Sequence, residues 1–191
     1  MNDFPRVKRE LIAGLDNGRA AARAYVETLP PDLPVHPDSD WTARDLIIHL
    51  TALEADMITA MQRSSAGEAF SVDLRGQPTV PDLYELRRRD RADQSWDDLL
   101  REWERVRDQL RGVILAFPVD RMQRPFSTAF FVDYDLLGAI GACSAHERHH
   151  LAEMRAAMER HLTSEDSEDS EGRVDTDRRR RASSSIEARR M

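Results

Sequence analysis

Leu11, Leu15, Gly18, Ala22, Tyr25 and Leu29 recur at intervals of three and four, one face of a helix running from about Arg6 to Leu29. Pro30 and Pro31 end it. A second helix opens with Thr42 as N-cap and Asp45 at the third helical position, and Trp41 and Leu46 are spaced to form a hydrophobic staple. Its stripe is Leu46, Leu50, Leu53, Met57 and Met61, and it closes near Arg63, where SSAG breaks the pattern. The third helix starts at Ser95, with Asp98 three residues on. Trp96, Leu99, Trp103, Val106, Leu110, Val113 and Phe117 give it the strictest periodicity in the chain, and Pro118 closes it. A fourth helix covers about Asp133 to Leu162, with Leu136, Ile140, Cys143, Leu151, Met154 and Met158 as its stripe. No stretch sustains strand alternation, so the pattern predicts an all-α four-helix bundle.

Two long connections interrupt it. Residues 64–94 contain Pro78 and Pro81 and a short helical pattern over Asp82–Arg91, a length that points to a crossover or a cover over a site. Residues 119–132 carry Phe126, Phe130 and Phe131, which read either as core or as a cover over an apolar substrate. From Thr163 the composition changes abruptly. Residues 163–191 hold 8 acidic and 7 basic side chains and almost nothing apolar, so burial cannot offset the entropy of ordering them. The expected organisation is a bundle over 1–162 and a disordered charged tail over 163–191.

Charge and composition narrow the function classes. A net charge of −7 argues against a nucleic-acid partner, which needs a basic face. The RRRR run in the tail sits beside an acidic block that neutralises it. The N-terminal MNDFPRVKRELIAGL is charged throughout, unlike a signal peptide, and no apolar run is long enough for a membrane span. Cys143 is the only cysteine, so neither an internal disulfide nor a cysteine-based zinc framework can form. These features together predict a cytoplasmic protein that binds no membrane.

The chemistry sits in the histidines. In AHERHHLAEM, His146 and His150 are four apart and so share a helical flank one turn from each other, the geometry by which a helix offers two imidazoles to one metal. His149 projects roughly opposite the apolar stripe and is expected to face water. His49, in DLIIHLTALEADM, borders the second helix's stripe. Spacing alone leaves two readings open: hydrogen-bonded border residues, or ligands converging from facing helices on one ion. Glu147 projects into the middle of the fourth helix's stripe, where an ionised carboxylate is costly unless paired. It reads either as an acid/base group or outer acceptor beside a metal, or as the partner of an arginine from the first or third helix.

DWTARDLIIHLTALEADM resembles the W-[S/T]-x-x-[D/E]-x-x-x-H-L segment that opens the second helix in the DinB superfamily, and AHERHHLAEM is similar to its H-x-x-x-H motif on the last helix. Helix order and the long middle connection match as well, so the resemblance spans about residues 5–162. It implies a DinB-like four-helix bundle in which His49, His146 and His150 ligate a divalent metal. It also implies kinship with thiol-dependent transferases and with mycothiol-dependent isomerases. A related branch of metabolite-detoxifying bundles starts with a similar WTxxDxxxHLTAxE segment and does not rely on the metal triad.

Three neutral imidazoles leave coordination positions open, as in catalytic rather than structural zinc sites. Zinc is the expected ion, and nickel, iron(II) and copper suit the same donors. The expected function is therefore a metal-dependent thiol S-transferase or isomerase, its partners a small-molecule thiol and a small electrophile. The alternatives are a metal-free detoxification hydrolase, or a non-catalytic bundle that binds a ligand or forms a homodimer through one helical face.

Overall fold

A computed structural model describes residues 3–70, 74–77, 79–128 and 133–187, with side chains described as far as Ser164. Its helices are α1 (Phe4–Val26), α2 (Ala43–Ala66), a short α3 (Val80–Asp90), α4 (Trp96–Ala116) and α5 (Leu136–Glu187), with a single 3₁₀ turn at Val119–Arg121. The architecture is all-α. The helices α1, α2, α4 and α5 form the bundle: α1 and α2 each pack against both α4 and α5, and α3 lies against α2. Among the described residues no helix is long and apolar enough to cross a membrane.

Local chemistry fixes the helix starts. Thr42 and Asp45 make a reciprocal capping box, with the Thr42 amide donating to Asp45 Oδ2 at 2.8 Å. Ser95 caps α4 through the Asp98 amide at 3.1 Å. The short helical pattern expected over Asp82–Arg91 is α3, which begins two residues earlier, because Thr79 caps it and Pro81 fits the first turn, where no amide donor is needed. The last helix starts at Leu136 rather than Asp133, since Asp135 Oδ1 accepts from the Gly138 amide and Asp133 takes a left-handed backbone. Likewise α1 stops at Val26, and Leu29, Leu33 and Val35 in the following segment are buried against α2 and α4. The α5 backbone runs on past Leu162 to Glu187, so residues 163–187 of the segment expected as a tail are helical in backbone, while the side chains past Ser164 and residues 188–191 lie outside the description. Phe130 and Phe131 also lie outside the described residues, whereas Phe126 is core, packed 6.0 Å from the Phe117 ring.

The core divides into two apolar layers, one around Met57, Leu110, Ile114, Phe117 and Ile140, the other around Leu46, Leu50, Trp103, Leu151 and Met154. Between them lies a layer of four buried charges, one from each long helix: Arg19 of α1, Glu54 of α2, Arg107 of α4 and Glu147 of α5. Arg19 Nη2 donates to Glu54 Oε1 at 2.7 Å and to Glu147 Oε2 at 2.8 Å. Arg107 Nη2 donates to Glu147 Oε2 at 2.7 Å and also reaches Glu54 Oε1. Each guanidinium also serves the backbone: Arg19 Nη1 donates to the Trp103 carbonyl and Arg107 Nη1 to the Leu15 carbonyl, at 2.8 and 2.9 Å. The Arg19 guanidinium also lies 3.7 Å from the Trp103 ring centroid, a cation–π contact.

This layer corrects the first helix's stripe. Arg19 is buried where Gly18 was expected to be, and Gly18 faces solvent. At the far end of the bundle Lys8, also buried, donates to the carbonyls of Leu115 and Phe117 at 2.8 and 2.5 Å. It thereby satisfies acceptors that the C-terminus of α4 leaves without intrahelical partners.

Removing one member of a buried, paired set strands its partners in a medium that solvates them poorly. Arg107→Met should therefore cost about 3–5 kcal/mol, the range for breaking a buried ion pair from one side. Equilibrium denaturation checks this, and a loss under about 1 kcal/mol, the ceiling for exposed pairs, would mean that water reaches the layer.

Candidate metal centre

Two helices bring the three histidines together. His49 projects from the second turn of α2, whose start is fixed by the capping box at Thr42, seven residues earlier. His146 and His150 project from one flank of α5, one turn apart. His49 Nε2 lies 2.9 Å from His146 Nε2, and His150 Nε2 lies 3.1 Å from the same atom. The three imidazoles can each offer an atom within 4.8 Å of the others. The ring planes are steeply inclined, at 60° between His49 and His146 and 85° between His146 and His150, so the rings meet edge to edge around one point. Ligands about 2.0–2.1 Å from a tetrahedral zinc-sized ion stand about 3–3.5 Å apart, which the two shortest separations approach.

The electrostatics suit ligation. Burial, reinforced by the neighbouring His150 and His146, pushes His49 down to about 3. Burial, with His150 and His149, pushes His146 down to about 4. His150 is also lowered by burial, and a carboxylate partly opposes that. Neutral imidazoles are the form that binds a cation. That carboxylate is Glu153, whose Oε2 lies 2.6 Å from His150 Nδ1. The contact places the proton on Nδ1 and leaves the Nε2 lone pair aimed at the shared point, the usual outer partner of a ligating histidine. In the absence of a cation, a single hydrogen on His146 Nε2 cannot lie in line with both neighbouring nitrogens. A cation at the centre accepts all three lone pairs, so the residues fit a metal.

The surroundings hold His49 in place. The rings of Trp41 and Tyr84 stand edge-on to it, with centroids 5.6 and 5.1 Å away. Tyr84 comes from α3, so the middle connection does cover the centre. Its hydroxyl donates to Asp56 Oδ2 at 2.7 Å, and Arg87 grips both oxygens of the same carboxylate at 2.7 and 3.0 Å, tying α3 to α2. Arg88 extends the clasp to Asp40 and Asp45 at the start of α2.

Glu147 stands in the buried charge layer, paired with Arg19 and Arg107, and so takes the ion-pair role that its place in the stripe allowed. The outer acceptor on a histidine is Glu153 instead. The i, i+3 spacing of His150 and Glu153 was visible in the sequence, but a glutamate on a solvated flank carries no mark of it. His149 is exposed and stays outside the triad. Cys143 is buried beside the charge layer, where burial and the Glu54 carboxylate push its thiol well above the usual range. It is a small core residue, not a thiolate donor.

Comparison with known proteins agrees with this arrangement. A solved structure of an uncharacterised protein from Escherichia coli UTI89 is similar in fold, with a TM-score of 0.64 and 17% identity over 81% of this chain and 94% of that one. No curated protein matches. The family model described as the DinB superfamily matches residues 14–154, a stretch that takes in His49, His146 and His150 as well as the charge layer. A four-helix bundle with its histidines at these heights, matched over most of its length, belongs to the DinB superfamily.

Proposed function

We propose that the chain binds one divalent cation through His49, His146 and His150, and acts as a metal-dependent thiol S-transferase or isomerase on a small electrophile. The convergence of three imidazole nitrogens from two helices carries this reading. Among the described residues no fourth donor joins that cluster, and three histidines with an open position are the pattern of catalytic sites. When bound, a divalent ion supplies Lewis acidity that depresses the pKa of a thiol or water reaching it. Zinc is the expected ion, with nickel, iron(II) and copper suited to the same donors. The thiol part of the proposal rests on the resemblance to thiol-dependent transferases and isomerases.

The chain's own residues do the rest. Glu153 orients His150, Tyr84 and Trp41 brace His49, and the same two rings offer apolar walls to an electrophile.

Elemental analysis of protein purified without an affinity tag should find one equivalent of divalent metal. His49→Ala should abolish it and His149→Ala should keep it, and chelation should lower the Tm because the ion binds the folded state. Consumption of a low-molecular-weight thiol in the presence of an electrophile, lost with the metal, would establish the activity. A metal-free protein with a chelator-indifferent Tm defeats the proposal and leaves the metal-free bundle.

Proton linkage gives a second expectation. Above about 6.5 the rings are neutral in both folded and unfolded chains and add no pH dependence. Below it the unfolded chain takes up protons that His49 and His146 refuse until about 3 and about 4. The chelated protein should therefore lose stability as pH falls from about 6.5 towards 4. His49→Ala should show a shallower fall in pH-resolved denaturation, and equal slopes would mean that His49 is solvated.

A further inference from the structure

The short helix α3 is attached differently from the four long ones. Of its 11 residues only Leu83 and Tyr84 are buried. A helix of this length is marginal in water on its own, so its attachments keep it folded. Most of them are charged and end on α2. Arg88 reaches Asp40 and Asp45 at 3.0 and 3.5 Å, and Arg87 grips both oxygens of Asp56. Asp56 Oδ2 accepts from the Tyr84 hydroxyl as well, so one carboxylate holds two side chains of α3. Its side chain is 14% exposed and that of Arg87 22%, sheltered enough to bind firmly and near enough to water to let go. Asp56 stands seven residues beyond His49, two turns on along the same face of α2. Tyr84 spans the interval, its hydroxyl on Asp56 and its ring edge-on to His49. The other rings against His49 belong to Trp41, at the start of α2, and to His146 and His150 on α5. The flank of His49 that α3 covers is therefore closed by the most weakly anchored helix in the fold.

We propose that α3 is a lid over the histidine cluster and that Asp56 is its latch, a positioning residue that acts through Tyr84 and Arg87. Elements that bury few apolar side chains open before the rest of a fold does. Detaching α3 exposes two buried side chains, whereas detaching any long helix also breaks the buried charge layer. With the latch closed, Tyr84 packs on His49 and shuts that flank. With it open, α3 leaves α2 as a unit and His49 meets solvent, while His146 and His150 stay on α5. As a gate for thiol and electrophile the lid rests on the proposed function, but its opening needs no ion.

The test uses full-length protein freed of metal by chelation and dialysis. Amide hydrogen exchange and the reaction of each histidine with diethylpyrocarbonate, which acylates neutral imidazoles, are both followed by mass spectrometry. In wild type the α3 amides should exchange ahead of those of α2 and α4. Asp56→Asn keeps the shape of the latch and removes its charge. It should speed both α3 exchange and His49 modification about tenfold or more, as loss of a charge-assisted hydrogen bond implies. Tyr84→Phe, which removes only the hydroxyl, should act in the same direction to a smaller extent. His149, exposed throughout, should react at the wild-type rate in both variants, and exchange in α4 should not change. The lid is overturned if wild-type α3 exchanges no faster than α2, or if Asp56→Asn leaves the His49 rate unchanged. It is equally overturned if Asp56→Asn loosens α4 as much as α3, since Asp56 would then be a general structural residue. Both accelerations in a protein that binds no zinc would keep the lid and defeat the metal reading, and zinc binding without either would do the reverse.

Discussion

Four charges buried between two apolar layers govern the rest of this bundle. Apolar side chains tolerate sliding, because one leucine packs against another at several heights. Charges do not: a glutamate moved by one turn from its arginine stays buried and loses its partner, at a cost that no repacking recovers. Arg19, Glu54, Arg107 and Glu147 come one from each long helix, so every helix is indexed to the same plane. The net charge of the layer is zero, and the carboxylate oxygens that accept from both arginines leave each pair dependent on the other. Glu147 follows His146 directly, and Glu54 lies five residues beyond His49. Fixing the heights of the two glutamates fixes the heights of the histidines above them.

Local rules add precision to that index. The capping box at Thr42 sets where α2 begins, the Arg87 and Arg88 clasps hold α3 across it, and Tyr84 then meets the His49 ring. Each step uses short-range chemistry, yet together they aim three nitrogens from distant parts of the chain at one point. The cluster is electrostatically uneasy when empty, since burial and mutual proximity oppose protonation of its rings. Neutral nitrogens crowded in this way are prepared for a cation.

Much of this was legible in the sequence, and the reasons for the exceptions are physical. Trp96 to Phe117 gave α4 directly, because an amphipathic stripe over several turns has no competing strand reading. The pair His146 and His150 followed from one four-residue offset, and His49 joined them through the family motif. Arg19 and Arg107 were missed as core because arginine is almost always a surface residue, and only the pairing across helices reverses that expectation. Glu147 showed the anomaly from its own side, as a carboxylate in an apolar stripe, but its partners lie 128 and 40 residues away. Glu153 stands three residues after His150, an offset too common on a solvated flank to single it out.

The burial of two particular side chains has a consequence for a protein proposed to handle electrophiles. Lys8 is the only lysine in the chain and Cys143 the only cysteine, and both are buried, the amine against two carbonyls and the thiol in the core. Amines and thiols are the side chains that alkylating and acylating agents modify most readily. The outer surface therefore presents guanidinium groups as its cations, which are far poorer targets because they stay protonated. Such a coat resists adduct formation, and a catalyst dressed in it can meet reactive substrates repeatedly without being consumed by them.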